Sequence, residues 1–136
     1  MRYLLLCLFV FWFSLGCKVQ ANQDLFDEAR FLYNQGKFTE AVSLYKEIIK
    51  SDASNIEAYL NLACLYKDLA DYKQAIEILK EALNFSEDAR LKILLGRLYY
   101  LSGIPGEGAA CLKQLLSSEP ENPIVLLYLG SCYEDL

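Results

Sequence analysis

The sequence predicts an all-α protein built as a stack of antiparallel helix pairs, and three observations predict it. The first is a block that returns at a period of about 34 residues. Leu62-Ala63 with Tyr66 comes back as Leu95-Gly96 with Tyr99 and as Leu129-Gly130 with Tyr133. The second is an echo on the following helix: Ala41, Tyr45 and Ile48 recur as Ala75, Leu79 and Ala82, then as Gly108, Leu112 and Leu115. Ala109 competes with Gly108 for its place, and the spacing to Pro120 favours Gly108. The third is that no stretch after Ala21 shows sustained apolar–polar alternation, while its breaks fall where a helix-turn-helix array needs them. Each unit of such an array buries its apolar face only against its neighbours, and arrays are more often binding surfaces than catalysts.

The first segment stands apart from the array. Met1-Arg2 gives a positive start, and Tyr3 to Leu15 is almost unbroken apolar sequence. Val19 and Ala21 are small residues spaced as a signal peptidase prefers, so residues 1–21 read as a signal peptide cleaved after Ala21. As a helix, an apolar run of about 15 residues covers roughly 22 Å, short of the roughly 30 Å hydrocarbon core, which places an uncleaved anchor second. Leu15-Gly16-Cys17 also resembles a bacterial lipobox with Cys17 as the lipidated residue, although Ser14 and Leu15 depart from that motif. Both readings export the domain.

The array itself reads as seven helices. Gln23 to Gln35 is closed by Gly36, and Phe38 to Ser51 follows. Ile56 to Leu69 and Tyr72 to Phe85 form the next pair. Asp88 to Ser102 is separated from Pro105 to Ser117 by the turn Gly103-Ile104-Pro105-Gly106, with Pro105 suited to a first helical turn. Glu119-Pro120-Glu121-Asn122-Pro123 breaks the chain before Ile124 to Asp135.

These residues resemble the tetratricopeptide repeat, whose first helix carries W-x2-L-G-x2-Y and whose second carries Ala and an aromatic before a closing Pro. Tyr59, Leu62, Ala63, Tyr66, Ala75, Leu79 and Ala82 fill one copy. Leu95, Gly96, Tyr99, Gly108, Leu112, Leu115 and Pro120 fill the next, and Leu126, Leu129, Gly130 and Tyr133 begin another. The first copy matches at Leu25, Ala29, Leu32, Gly36, Ala41, Tyr45 and Ile48, with Glu28 in place of a Leu. The resemblance covers residues 22–136, with repeats at about 22–55, 56–88 and 89–122 and a partial one at 123–136. It implies a right-handed superhelical solenoid of three repeats plus a final half repeat, of an exported bacterial type, with the first helix of each pair lining a concave side that binds a peptide or partner protein.

Composition narrows the function. The chain has 13 basic and 18 acidic residues; leaving out Arg2 and Lys18 gives 11 against 18, a net charge of −7. That balance argues against nucleic acid as a partner, which requires a basic face. With no His in the chain, His metal ligands and His general bases are excluded. Cys64, Cys111 and Cys132 form no CxxC and read as small buried apolar residues. No metal, no cofactor and no catalytic residue is expected. Gly103, Gly106 and Gly108 read as turn and packing residues rather than a phosphate loop, since no Lys-Ser/Thr follows. Asn84-Phe85-Ser86 is a glycosylation sequon, relevant only in a eukaryotic secretory pathway.

The candidate binding residues are those mapped to the concave face: Phe26, Arg30, Tyr33, Asn61, Lys67, Arg90, Arg97 and Tyr100. All three arginines beyond residue 21 fall among them, flanked by aromatics, which is the composition of an interface hot spot and suits capture of a carboxylate. The competing reading pairs Asp27 with Arg30 and Glu87 with Arg90 along their own helices. One variant of the family clamps a C-terminal carboxylate with a Lys/Asn/Asn/Lys/Arg set. Asn61 and Arg90 match that set, while Phe26, Arg30 and Leu94 depart from it, which argues against that clamp. The last helix is as apolar as an internal one and no second helix covers Leu127 and Tyr128, so the array is expected to be truncated or its open end covered by another protomer or partner, the alternative being a simple cap solvated by Glu134 and Asp135. The sequence therefore points to a non-enzymatic interaction scaffold of the cell envelope or periplasm, touching the membrane only through its N-terminal segment or a lipid. The alternative is a lipid-anchored accessory subunit of a transport or secretion system.

Overall fold

The computed structural model describes residues 22–136, and the leader segment 1–21 with Cys17 lies outside them. The described residues hold seven helices and no strand. They are α1 (22–34), α2 (Phe38–Ser51), α3 (Ile56–Asp68), α4 (Tyr72–Ala82), α5 (Ala89–Leu101), α6 (Pro105–Leu115) and α7 (Pro123–Glu134). None is long and apolar enough to cross a membrane. The chain divides into two compact units, one ending at Ser51 and the other running from Asp52 to Leu136.

Local chemistry starts each helix. Asn55, Asp71, Asp88 and Asn122 stand just before α3, α4, α5 and α7, and each side chain accepts a hydrogen bond from a first-turn amide. These bonds satisfy amides that the helix cannot pair internally. The start of α6 has no such cap, and Pro105 in its first turn removes one of those donors instead.

The turns inside the helix pairs are one motif used three times. Gly36, Ala70 and Gly103 have φ of 75°, 58° and 76°, the left-handed conformation. Their amides reach the carbonyls of Tyr33, Lys67 and Tyr100, and the next amides, of Lys37, Asp71 and Ile104, reach Leu32, Tyr66 and Tyr99. This double bond pattern closes a helix at a left-handed residue, normally glycine. Ala70 alone keeps a Cβ there.

In the first unit, Phe26 meets Tyr45 edge-on with ring centroids 5.9 Å apart, and Tyr33 meets Phe38 at 5.6 Å. Ser51 closes the far end by donating its hydroxyl to Asn22 Oδ1 at 3.0 Å. In the second unit α3 packs on α4, α4 on α5, α5 on α6 and α6 on α7, while α3 also touches α5 and α5 touches α7. The main contacts are thus between nearest and next-nearest neighbours, as a stacked array requires.

Small residues set the helix spacing in the second unit. A Cβ added at Gly96 would lie 2.5 Å from Leu112 Cγ, and one at Gly108 would lie 2.8 Å from the Gly96 carbonyl oxygen and 3.0 Å from Cys132 Sγ. Gly108, rather than Ala109, is thus the close-approach residue of α6. Around this contact Ala109, Leu112, Leu115, Val125, Leu129 and Cys132 form one apolar cluster. Each fully buried Leu or Val there stabilises the fold by about 1.5–3 kcal/mol.

Helix ends differ modestly from the sequence reading. The largest difference is α4, which closes at Ala82 instead of Phe85. There the amides of Asn84 and Phe85 turn back to the carbonyls of Glu81 and Ala82, three residues behind, tightening the last turn. Phe85 is thereby swung to stack on Tyr59, centroids 6.4 Å apart. Tyr59 is buried and donates its hydroxyl to Glu81 Oε1 at 3.0 Å. Burial first, and then Glu81, push the Tyr59 pKa up to about 12.

Ala70→Gly relieves the left-handed Cβ and is expected to raise stability by about 1 kcal/mol in denaturant titration. Gly108→Ala is expected to lower it by about 1–3 kcal/mol through overpacking, whereas Gly130→Ala, whose Cβ would meet nothing within 4 Å, is expected to raise it by about 0.5–1 kcal/mol. Tyr59 keeps its proton in the folded chain after the unfolded chain has lost it, so its contribution is complete below pH about 10 and is lost as pH rises towards 12. Tyr59→Phe should cost about 1 kcal/mol at neutral pH and make the decline across that window shallower.

Candidate functional site

The site is built on the second unit, on the face shared by the first helices of successive pairs. Two of the expected binding residues, Asn61 and Lys67, come from α3, and three, Arg90, Arg97 and Tyr100, from α5. Because α3 touches α5 and α5 touches α7, the three helices present neighbouring rows of side chains. Phe26, Arg30 and Tyr33 belong to the first unit. Phe26 is engaged with Tyr45 and Tyr33 with Phe38, and Arg30 is exposed with no ion pair among the described residues.

At one end of the face the charges are already matched. Arg90 Nε lies 3.2 and 3.1 Å from the two oxygens of Asp88, its Nη2 lies 2.8 Å from Asp88 Oδ2, and its Nη1 reaches Glu57 Oε2 on α3 at 3.1 Å. Glu87, read from the sequence as a partner for Arg90, pairs with Lys92 instead. Asp88 does two jobs, since one of its oxygens also accepts the Arg90 amide as the cap of α5. These bonds hold the Asp88 carboxyl below its ordinary range and keep Arg90 protonated more firmly than usual. The group is largely solvent-exposed, so its main effect is orientation rather than stability. Asn61 donates its amide to the Glu57 carbonyl one turn back on the same helix, at 2.8 Å.

At the other end the chemistry is different. The Arg97 guanidinium sits 5.4 Å from the centroid of the Tyr128 ring on α7, and it forms no ion pair among the described residues. Lys67 is held by its neighbour Asp68 at 2.6 Å. Both Lys67 and Arg97 lie near enough to Cys64 to pull its pKa down, but burial outweighs them and the thiol is pushed up. Burial likewise raises Cys111 and Cys132, so all three thiols are poor nucleophiles. Tyr100 has Asp135 beside its hydroxyl, whose charge raises its pKa.

The arrangement can hold an anionic group. It offers one half-buried cation on an aromatic ring, an adjoining tyrosine hydroxyl, and a pre-paired polar cluster about two turns away along α5. Among the described residues no three His, Cys, Asp or Glu side chains gather to hold a metal. Tyr128 is the site residue that the sequence did not assign. Its contact is made across two repeats, and the available signal was its position immediately before the Leu129-Gly130 motif on the next first helix.

Comparison with known proteins agrees with this architecture. Residues 32–98 match the family model of the tetratricopeptide repeat. The BBSome complex member BBS4 of Bos taurus is 29% identical over 117 residues, which is 86% of this chain, and the chain spans only 22% of that protein. The TPR domain of Arabidopsis OM64 superposes with a TM-score of 0.74 at 20% identity, covering 88% of this chain and 99% of that one. The first TPR of Spaghetti (RPAP3), bound to the HSP90 peptide SRMEEVD, also gives 0.74 at 20% identity, covering 85% and 92%. Residues 32–98 thus match the tetratricopeptide repeat, and the described residues share the fold of tetratricopeptide domains.

Proposed function

We propose that the chain is a non-enzymatic interaction scaffold that captures an acidic or carboxylate-bearing segment of a partner protein on the α3–α5–α7 face. The observation that carries this reading is Arg97: a half-buried guanidinium, seated on Tyr128 and left without a carboxylate of its own among the described residues. Arg90 supports it from the side, since its two carboxylates already occupy it and it presents a fixed polar edge rather than a free charge. Arginine on an aromatic ring suits a carboxylate because the planar fork is pre-oriented and the ring does not neutralise it. Tetratricopeptide domains mediate protein–protein interaction, and the Spaghetti domain of the same fold is bound to a peptide with consecutive glutamates.

The finer reading is that the scaffold works outside the cytosol, in the cell envelope or periplasm. Its support is the apolar leader with Val19 and Ala21 at a cleavage spacing. Leu15-Gly16-Cys17 favours a second reading in which a lipid on Cys17 holds the same face at the membrane as part of a transport or secretion system.

Fluorescence anisotropy with labelled SRMEEVD, and with a version whose acids are replaced by amides, tests the capture. The acidic peptide is expected to bind more tightly, and to weaken as salt rises. Arg97→Glu should reduce its affinity by about 1–2 kcal/mol, roughly tenfold, with unchanged helicity. Equal affinity for both peptides, or an Arg97→Glu variant with unaltered affinity and salt dependence, would sink the reading.

A further inference from the structure

The repeat sets one position of each first helix against a different position of the next. Counted from Leu62, Leu95 and Leu129, the residues two further on are Cys64, Arg97 and Ser131, and those one before are Asn61, Leu94 and Tyr128. Arg97 reaches from α5 to the ring of Tyr128 on α7, so the first of these positions meets the second on the following helix. The same repetition sets Cys64 of α3 opposite Leu94 of α5, and Cys64 is near enough to Arg97 to feel its charge. Two equivalent gaps thus differ in chemistry. The α5–α7 gap holds a cation on a ring. The α3–α5 gap is uncharged at the same place, walled by a half-buried thiol that burial keeps protonated and by a half-buried Leu. Leu101, 38% exposed and one turn beyond Arg97 on α5, continues the apolar wall. Acids bound this row at both ends: Glu57 and Asp88 around Arg90, then Asp68 beside Lys67 and Asp135 beside Tyr100.

We propose that these two gaps read a two-residue pattern in an extended partner segment: one acid at Arg97, and one aliphatic residue three positions away at Cys64 and Leu94. The inference rests on the acid capture proposed above and specifies which segment is captured. Its spacing follows from the stack. Packed helices lie about 8–10 Å apart, and equivalent gaps of adjoining repeats are separated by about that distance. A polyproline-II segment rises about 3.1 Å per residue with about three residues per turn, which brings residues three apart onto one side about 9 Å from each other. A β-strand repeats its side after two residues, at only about 7 Å. A helix separates residues three apart by only about 4.5 Å along its axis. The charges on the face limit the acids to one. A second acid at the Cys64–Leu94 gap would find no free cation there, because Lys67 is held by Asp68, and an acid desolvated without a partner is penalised. An aliphatic side chain in the same gap gains by leaving water.

Titration of the intact chain with short proline-framed peptides, followed by nuclear magnetic resonance, tests the pattern. PEPPLP and PLPPEP carry the acid and the Leu three apart in the two chain directions. PEPPAP removes the Leu, PEPLPP shortens the spacing to two, and PEPPEP adds a second acid. At least one of the first two should bind about fivefold or more tightly than PEPPAP, while PEPLPP and PEPPEP stay within about twofold of it. Leu94→Ser should remove the gain from Leu and leave PEPPAP within about twofold, and Arg97→Gln should weaken every one of the peptides. Arg97-dependent binding that Leu does not improve, or that PEPPEP improves equally, overturns the two-residue pattern and leaves the acid capture standing. Absence of Arg97-dependent binding for all the peptides overturns the capture itself, and the pattern with it.

Discussion

The approach of α6 to α5 at Gly96 and Gly108 is the contact on which the second unit depends. Neither residue can carry a Cβ without displacing Leu112 or the Gly96 backbone. With both helices brought this close, Leu112 becomes fully buried and Gly108 is left facing Cys132 of α7. One pair of glycines therefore links three helices. Dispersion is individually weak and falls off within about an ångström of separation, so small residues at a crossing matter more through the neighbours they admit than through their own surface. The same place on α3 is held by Ala63, fully buried, showing that the array tolerates a methyl where the facing helix is arranged for it.

The proposed recognition face follows from that stacking. Successive first helices fall side by side, so a residue on one repeat meets a residue on the next: Glu57 with Arg90, and Arg97 with Tyr128. The two arginines thus acquire different chemistry from the same repetition. Arg90, at the N-terminal end of α5, is absorbed by its cap residue Asp88 and by α3. Arg97, two turns on, finds only a ring. A binding face with one unneutralised, half-buried cation is more selective than a stripe of three, because the paired cluster repels misplaced acids while presenting oriented donors.

Much of this was legible in the sequence because the repeat is a packing pattern before it is a motif. The recurrence of a small residue after Leu, with Tyr three further, located α3, α5 and α7 and their buried faces. Three features were not legible, each for a physical reason. The close of α4 at Ala82 depends on Phe85 finding Tyr59, a contact at long sequence separation. The left-handed turn at Ala70 carries no local signal, since alanine prefers the helix; only its register with Gly36 and Gly103 discloses it. The partner of Arg90 was read as Glu87 by spacing along one helix, whereas Asp88 and the neighbouring helix supply the acids, because a capping residue is already held beside the first turn.

Native-state hydrogen exchange resolved by residue is the most direct test of this account. If helix stability in the second unit comes from neighbours packed at the small-residue stripe, amides of α5 and α6 should exchange only through the largest openings. Those of α7, packed on one side and open over Gly130, should exchange at lower free energy. Protection of α7 equal to that of α5 and α6, in a chain shown to be monomeric, would contradict it.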